Sequence, residues 1–551
     1  MVTSIRSTRV TVVYAVLLAV LLSVPAASFA AMKVSFDLKN GSHVADVANI
    51  VVQVTGSADV DQVQFYVDDV LTATIPGVPY QFGWDTIKTA EGNHVLKAIA
   101  TDDSGNTASA TITLVVDNDL TLGGAALAQR AVNSLQQGDL DGARRWARRA
   151  VKADAGQLDA LMVLANLDAR GHNYTRAVSR LNGAHGLATN ADALAALAGY
   201  KVHDALLPAN LQTFVTTVKS ATQMLQQAAD LRIAAASPGS ESIGDDYLNS
   251  GRPAQAIEAY KRVSASDLPP LELAVKIALA EVLNHQYIPA RTLMDNERNH
   301  KQDDSALRAV YGLCLLRQHH VRQAASMVAA DAGKSVPASQ VIASYAAMQL
   351  GHVQQANDMA SAAVAAVPES GDANFALAMG ASLGIIRQQS LPMAIVGDPL
   401  QAGPYLIFAA QAALLSGQQQ PAVAEQIAKF SRSLDPGALS PRLLEGLLAL
   451  VQNHLNTGKS LLNATSLSFP AMPDLYLAMS AYCDAAQLAA ASTQFLDKAA
   501  KLDRATFDMQ LPPNPAKAIR ILFLEKHYRP GFFLTLKTLS VTGTNQPVTM
   551  P

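Results

Sequence analysis

Apolar and polar residues alternate along the chain between Lys33 and Asn118, and from Gly123 to Arg504 the apolar positions recur at helical spacing. The alternating runs 34–38, 50–54, 63–67, 94–98 and 111–116 predict strands, with turn clusters at Asn40-Gly41, Asp68-Asp69 and 102–106 between them. Short strands punctuated in this way predict a small β-sandwich. The helical part has a longer period. Ala143, Ala177, Ala256, Ala290, Ala324, Ala356 and Ala424 are separated by 34, 79, 34, 34, 32 and 68 residues. Twelve residues before each stands a small residue: Ala131, Ala165, Gly244, Ala278, Gly312, Ser344 and Ala412, and the same phase reaches Ala378, Gly446 and Ser480. A period near 34 predicts stacked helix pairs, with the small side chain where two helices cross closely. The step of 79 holds two repeats and 11 extra residues, which fall between Ala191 and Ile243. There the stretch 211–236 is free of helix breakers and predicts a long helix, followed by a loop at 237–240.

Turns precede several second helices, as in Gly138-Asp139-Leu140-Asp141, Gly251-Arg252-Pro253 and Gly351-His352-Val353, and prolines close units at Pro368, Pro436 and Pro470. A small residue in the first helix, a glycine turn, an alanine early in the second helix and a closing proline together resemble the tetratricopeptide repeat family. The resemblance runs from Gly123 to Arg504 and fades around Ser390. The segment 92–118, with Gly92-Asn93-His94 leading to Thr101-Asp102-Asp103-Ser104-Gly105-Asn106, resembles bacterial immunoglobulin-like domains, whose core aromatics Trp84, Tyr80 and Phe82 would match. The expected fold class is therefore multidomain: an all-β immunoglobulin-like sandwich followed by an all-α solenoid.

Residues 1–30 read as a signal peptide: Arg6 and Arg9, an apolar stretch from Val10 to Leu22, then Ser28-Phe29-Ala30 as a cleavage site. The expected map is a signal peptide over 1–30, a sandwich over 31–118, about nine to eleven repeats over 119–510 (irregular at 191–243), and a capping helix and tail over 511–551. An uncleaved N-terminal anchor is the alternative to an exported chain without one.

Composition narrows function. Charged residues make up 16% of the chain, against about 25% in average domains. The formal net charge of −3 gives no electrostatic case for nucleic acid. Cys314 and Cys483 fall about five repeats apart and read as buried free thiols. Gly333-Lys334-Ser335 and Gly458-Lys459-Ser460 lack the upstream glycine of a phosphate loop, since Val328 and Asn453 stand there. His319-His320 has no carboxylate or cysteine at ligand spacing. Asp102, Asp103, Asp117 and Asp119 could hold calcium through hard oxygens or simply build turns. No cofactor, metal or catalytic residue is expected.

Two surfaces stand out. Arg144, Arg145, Arg148, Arg149 and Lys152 cover one face of a second helix, which reads either as a solvated convex face or as a site for an acidic partner or phospholipid surface. The resemblance also implies a concave groove lined from the first helices, by Met162, Asn166, Val275, Leu279, Leu313, Leu316, Val341, Tyr345, Met348, Phe375, Met379, Leu443 and Leu447. These side chains either take an apolar segment of a partner protein or pack between repeats. The expected function is an exported, non-catalytic scaffold or adaptor for protein partners, in the periplasm or outside the cell. The alternative is a surface polysaccharide-binding or adhesion protein whose sandwich presents Trp84, Tyr66 and Tyr80.

Overall fold

The computed structural model describes residues 31–502 and Leu539, apart from 57–58, 206–210, 300–303, 319, 332, 469–472 and, within 381–420, all but Ala394 and Leu406. The signal peptide, the unit around Ser390, His319, Pro470 and the capping helix with its tail (Leu539 aside) lie outside the described residues. The chain forms two compact units, the first ending at Leu164 and the second beginning at Ala165.

In the first unit, strands β1 (Lys33–Phe36), β3 (Val47–Thr55) and β6 (Gln81–Asp85) form one sheet, in the order β1-β3-β6. Strands β2 (His43–Val44), β4 (Val60–Val67), β5 (Val70–Ile75), β7 (Gly92–Asp102) and β8 (Thr107–Val116) form the other, in the order β2-β8-β7-β4-β5. Pairing is antiparallel except between β2 and β8. Alternate residues of both sheets turn inward: Ile50, Val52, Val63, Phe65, Trp84, Leu96 and Leu114 are buried together. The alternation found β1, β3, β4, β7 and β8. It missed β2, which is two residues long, β5, a largely exposed edge strand, and β6, interrupted by Gly83.

Helices α1 (Gly124–Gln136) and α2 (Leu140–Ala153) complete the first unit, and the boundary falls inside α3 (Leu158–Arg170). The second unit continues with α4 (Tyr174–Leu181), α5 (Ala191–Asp204), α6 (Leu211–Ala235), α7 (Glu241–Asn249), α8 (Pro253–Tyr260), α9 (Pro270–Leu283) and α10 (Tyr287–Asn299). It then runs through α11 (Ser305–Arg317), α12 (Val321–Val328), α13 (Pro337–Gln349), α14 (Val353–Ala366) and α15 (Gly371–Gly380). The last described helices are α16 (Pro421–Leu434), α17 (Leu439–Val451), α18 (Leu455–Ser468), α19 (Pro473–Ala485) and α20 (Ala489–Leu502). The irregular stretch contains α5 and the 25-residue α6, as the lack of breakers predicted. Helix starts carry their own signals: Asp139, Asn173 and Asn190 each accept a backbone N–H three residues on.

The 34-residue period has a steric cause. The anchor alanines Ala143, Ala177, Ala256, Ala290, Ala324 and Ala356 are fully buried, as are the small residues Ala131, Ala165, Ala278, Ser344 and Ala378. A Cβ on Gly244 would come within 2.3 Å of the Tyr260 ring, and one on Gly312 within 2.7 Å of Ile342. Ser344 uses its hydroxyl, donating to the carbonyl of the anchor residue Ala356 at 2.8 Å. Seven residues after seven of these small positions the described backbone turns left-handed. Gly138, Gly251 and Gly351 take φ near +80°, while His172, His285, Asn453 and Gln487 adopt +58°, +60°, +61° and +59°. Only some repeats show the glycine that marks this turn, so sequence alone recovers it in part.

Gly244→Ala is expected to lower stability by about 1–3 kcal/mol, because Tyr260 is fully buried and its hydroxyl donates to Asp245 at 2.6 Å. Urea unfolding followed by circular dichroism checks this. In a Tyr260→Ala background the same change is expected to be nearly neutral, and an undiminished loss there would rule out the steric cause.

Candidate interaction surfaces

Part of the basic face of α2 meets the sandwich of the same unit through Arg148 and Arg149, while Arg144, Arg145 and Lys152 stay exposed. Arg149 is 7% exposed and donates to both oxygens of Asp46, at 2.8 and 2.6 Å, and to Asp119 at 2.5 Å. Arg148 grips Asp85 with one guanidinium nitrogen, 2.6 and 2.7 Å from the two carboxylate oxygens. Lys152 donates to the Thr89 carbonyl at 3.2 Å, and Arg145 stands 4.0 Å from Asp46. The carboxylate–guanidinium geometry is the strong, directional kind. Its hydrogen bond to Asp46 raises the Arg149 pKa, against burial, which would lower it. The Trp146 ring lies between the Arg130 and Arg149 guanidiniums, 4.8 and 4.7 Å from its centroid. Asp46 and Asp119 have left-handed backbones, φ 56° and 57°, which helps aim two carboxylates from different loops at one arginine. A charge count along α2 cannot reveal this, since the acids come from turns 30 and 103 residues away.

The groove residues are mostly packed. Leu279, Leu313, Tyr345 and Phe375 have no exposed surface, and Val275, Leu316, Val341, Met379, Leu443 and Leu447 are buried. Met162, Asn166 and Met348 stay half-buried, and Asn166 accepts from Arg170 at 2.8 Å. Part of the reason is that repeats here touch beyond their neighbours, unlike an open array. Helix α6 packs against α16. His285 Nε2 lies 2.9 Å from Asp435 Oδ1 across 150 residues of sequence, and the His285 ring covers Gly437, where a Cβ would approach within 2.2 Å. The left-handed turn at His285 orients that ring. Burial would raise the Asp435 pKa, but the hydrogen bond from His285 and the nearby charges of His285 and Arg317 hold it below the usual carboxylate range.

The remaining candidates resolve into structural roles. Asp102 accepts from Ser104 N, Asn106 N and Asn106 Nδ2, so its oxygens build the β7–β8 turn. Asp117 accepts from Asp119 N, and Asp119 is taken by Arg149. Cys314 and Cys483 are free and buried, and burial pushes the Cys314 thiol up to about 12. Gly458 lies inside α18, packed on Leu450. Trp84 and Tyr80 are buried in the sandwich, and half-buried Tyr66 donates to Gln64 at 3.3 Å. These three aromatics therefore form no open stacking platform for sugar rings. No helix among the described residues is long and apolar enough to cross a membrane.

Residues 37–98 match the bacterial Ig domain family. Among solved structures, the fibronectin(III)-like modules of Clostridium thermocellum CbhA share 23% identity, with 15% of this chain and 96% of that chain covered at a TM-score of 0.14. The APC/C hetero-tetramer Cut9–Hcn1 shares 11% identity over 73% of this chain and 90% of that chain, at a TM-score of 0.37. Pseudomonas aeruginosa PilF shares 19% identity over 39% of this chain and 92% of that chain, at a TM-score of 0.25. No curated protein matches the chain. A segment that matches a bacterial Ig domain, followed by a run of repeated helix pairs, is what this chain contains.

Proposed function

We propose that this protein is an exported, non-catalytic scaffold or adaptor that binds protein partners through its helical repeats, with the Ig domain as a fixed docking or spacing element. The observation that carries the reading is the run of repeated helix pairs in the second unit, a surface type suited to macromolecular contacts. Export is supported by the charged, apolar and small-residue order of the first 30 residues and by the bacterial Ig match. The clamp of α2 on Asp46, Asp85 and Asp119 favours a sandwich held against the first helix pair over a free tethered module. Burial of Trp84 and Tyr80 weighs against polysaccharide recognition by the sandwich. Of the groove candidates, Met162, Asn166 and Met348 remain the positions a partner could reach.

Crosslinking of the full chain in its native cell envelope, read by mass spectrometry, tests the proposal. Partner crosslinks on residues 165–502 are the expected result, with the mature chain beginning at Ala31. Crosslinks confined to residues 33–116, or glycan alone co-purifying, would overturn the adaptor reading in favour of surface recognition. Retention of the first 30 residues would overturn cleavage and leave an anchored chain.

A further inference from the structure

Within the second unit, α10, α11 and α12 border an open groove of about 540 Å³ lined in part by Arg291, Arg298, Arg308 and Arg322. Two carboxylates meet this set. Asp331 is taken by Arg308 in a bidentate pair, and Asp295 stands 3.9 Å from Arg291 while accepting from Tyr311 Oη at 2.8 Å. Arg298 and Arg322 form no ion pair among the described residues. Arg298 lies over the Tyr311 ring, 5.7 Å from its centroid, which holds the guanidinium at the cleft while its donors stay unused. Arg322 sits in the first turn of α12, where the helix dipole repels a cation. Its placement there is unfavourable for the isolated helix and becomes favourable once an anion enters. The rest of the lining is mixed, with Leu315, Met327 and Ala330 beside the polar Tyr311, Gln323 and Ser326.

We infer that this cleft binds a carboxylate-rich peptide segment of a partner protein, one in which acidic and apolar side chains alternate. Guanidiniums match carboxylates in a fork geometry, and Met327 and Ala330 beside them offer apolar contact that a polyphosphate or an acidic glycan cannot use. The inference rests on the adaptor reading and names the chemistry of its ligand.

The test is a fluorescence-anisotropy titration of the full chain with a labelled peptide of alternating glutamate and leucine. Its glutamine–leucine analogue and inorganic polyphosphate serve as the other probes. The acidic peptide is expected to bind at least tenfold tighter than the glutamine analogue. The Arg298→Gln/Arg322→Gln variant is expected to lose that tenfold, and Arg144→Gln, an exposed arginine of the first unit, to lose nothing. Both arginines of the double variant are exposed, so unchanged circular dichroism is expected and excludes misfolding as the cause. Equal binding of the two peptides, or undiminished binding by the double variant, would overturn the inference. So would tighter binding of polyphosphate than of the acidic peptide, which would assign the cleft to a different ligand. If the titration fails while partner crosslinks still fall on residues 165–502, the cleft assignment alone is wrong and the adaptor reading stands.

Discussion

Arg149→Met is expected to destabilise the first unit by about 3 kcal/mol, near the lower end of the cost of breaking a buried ion pair. Its side chain is 9% exposed and engages two aspartates, so removal leaves Asp46, itself only 16% exposed, without its bidentate partner. Arg145, 4.0 Å away, supplies part of the missing charge, which keeps the loss from reaching the top of the range. The measurement is unusually direct, because the two tryptophans of the chain, Trp84 and Trp146, both belong to this unit. Urea unfolding followed by tryptophan fluorescence therefore reports it without the helical repeats. A double-mutant cycle with Asp46→Leu is expected to recover most of the loss. A change below about 1 kcal/mol would class the contact with ordinary surface pairs and return the basic face of α2 to solvent.

Asp331→Ala is expected to cost the second unit about 3–5 kcal/mol. The Asp331 side chain is 1% exposed and holds Arg308 in a bidentate pair, with Ser305 and Ser339 donating to it as well. Removing the carboxylate strands a guanidinium that is itself 8% exposed. Circular dichroism follows this loss, and tryptophan fluorescence is expected to stay unchanged. The same group predicts a pH dependence. Burial would raise the Asp331 pKa, but the bonds from Arg308, Ser339 and Ser305 hold it below the ordinary carboxylate value. Its stabilisation is thus complete above pH ~3.9 and disappears as pH falls through the lowered folded value. The urea midpoint of the parent is expected to drop below about pH 4, with Asp435 contributing in the same sense. In Asp331→Asn that slope is expected to shrink, and an unchanged slope would remove Asp331 from the acid transition.

What could be read from the chain follows from what each signal measures. The 34-residue recurrence reports close packing at the small position, as Gly244 packs on Tyr260 and Gly446 on Leu462, so the sequence carries it openly. The long strands likewise write their inward faces as alternation. Edge strand β5 turns only Ala73 and Ile75 toward the core, both half-buried, so its signal is short. The left-handed turn is visible where glycine fills it and hidden at His172, His285, Asn453 and Gln487. The clamp on the sandwich and the burial of the groove were illegible for a different reason. Both depend on which distant residue faces a given side chain: Asp46 for Arg149, Asp435 for His285. The arginines of the α10–α12 cleft, one by one, resemble solvated helix positions, and only their convergence distinguishes them.

The bond from His285 to Asp435 also constrains the order in which the protein can be assembled. An array of purely local contacts can fold pair by pair as it leaves the ribosome or an export channel. Here the turn after α9 meets its partner only when another 150 residues have arrived, and closing so long a loop is entropically costly and slow. Until then the surfaces that α6 and α16 share lack their partner, so the half-synthesised chain is expected to be more prone to aggregation. The same contact means that shortening the gene anywhere before Asp435 removes more than the terminal repeats. It also deprives the middle of the molecule of one of its supports.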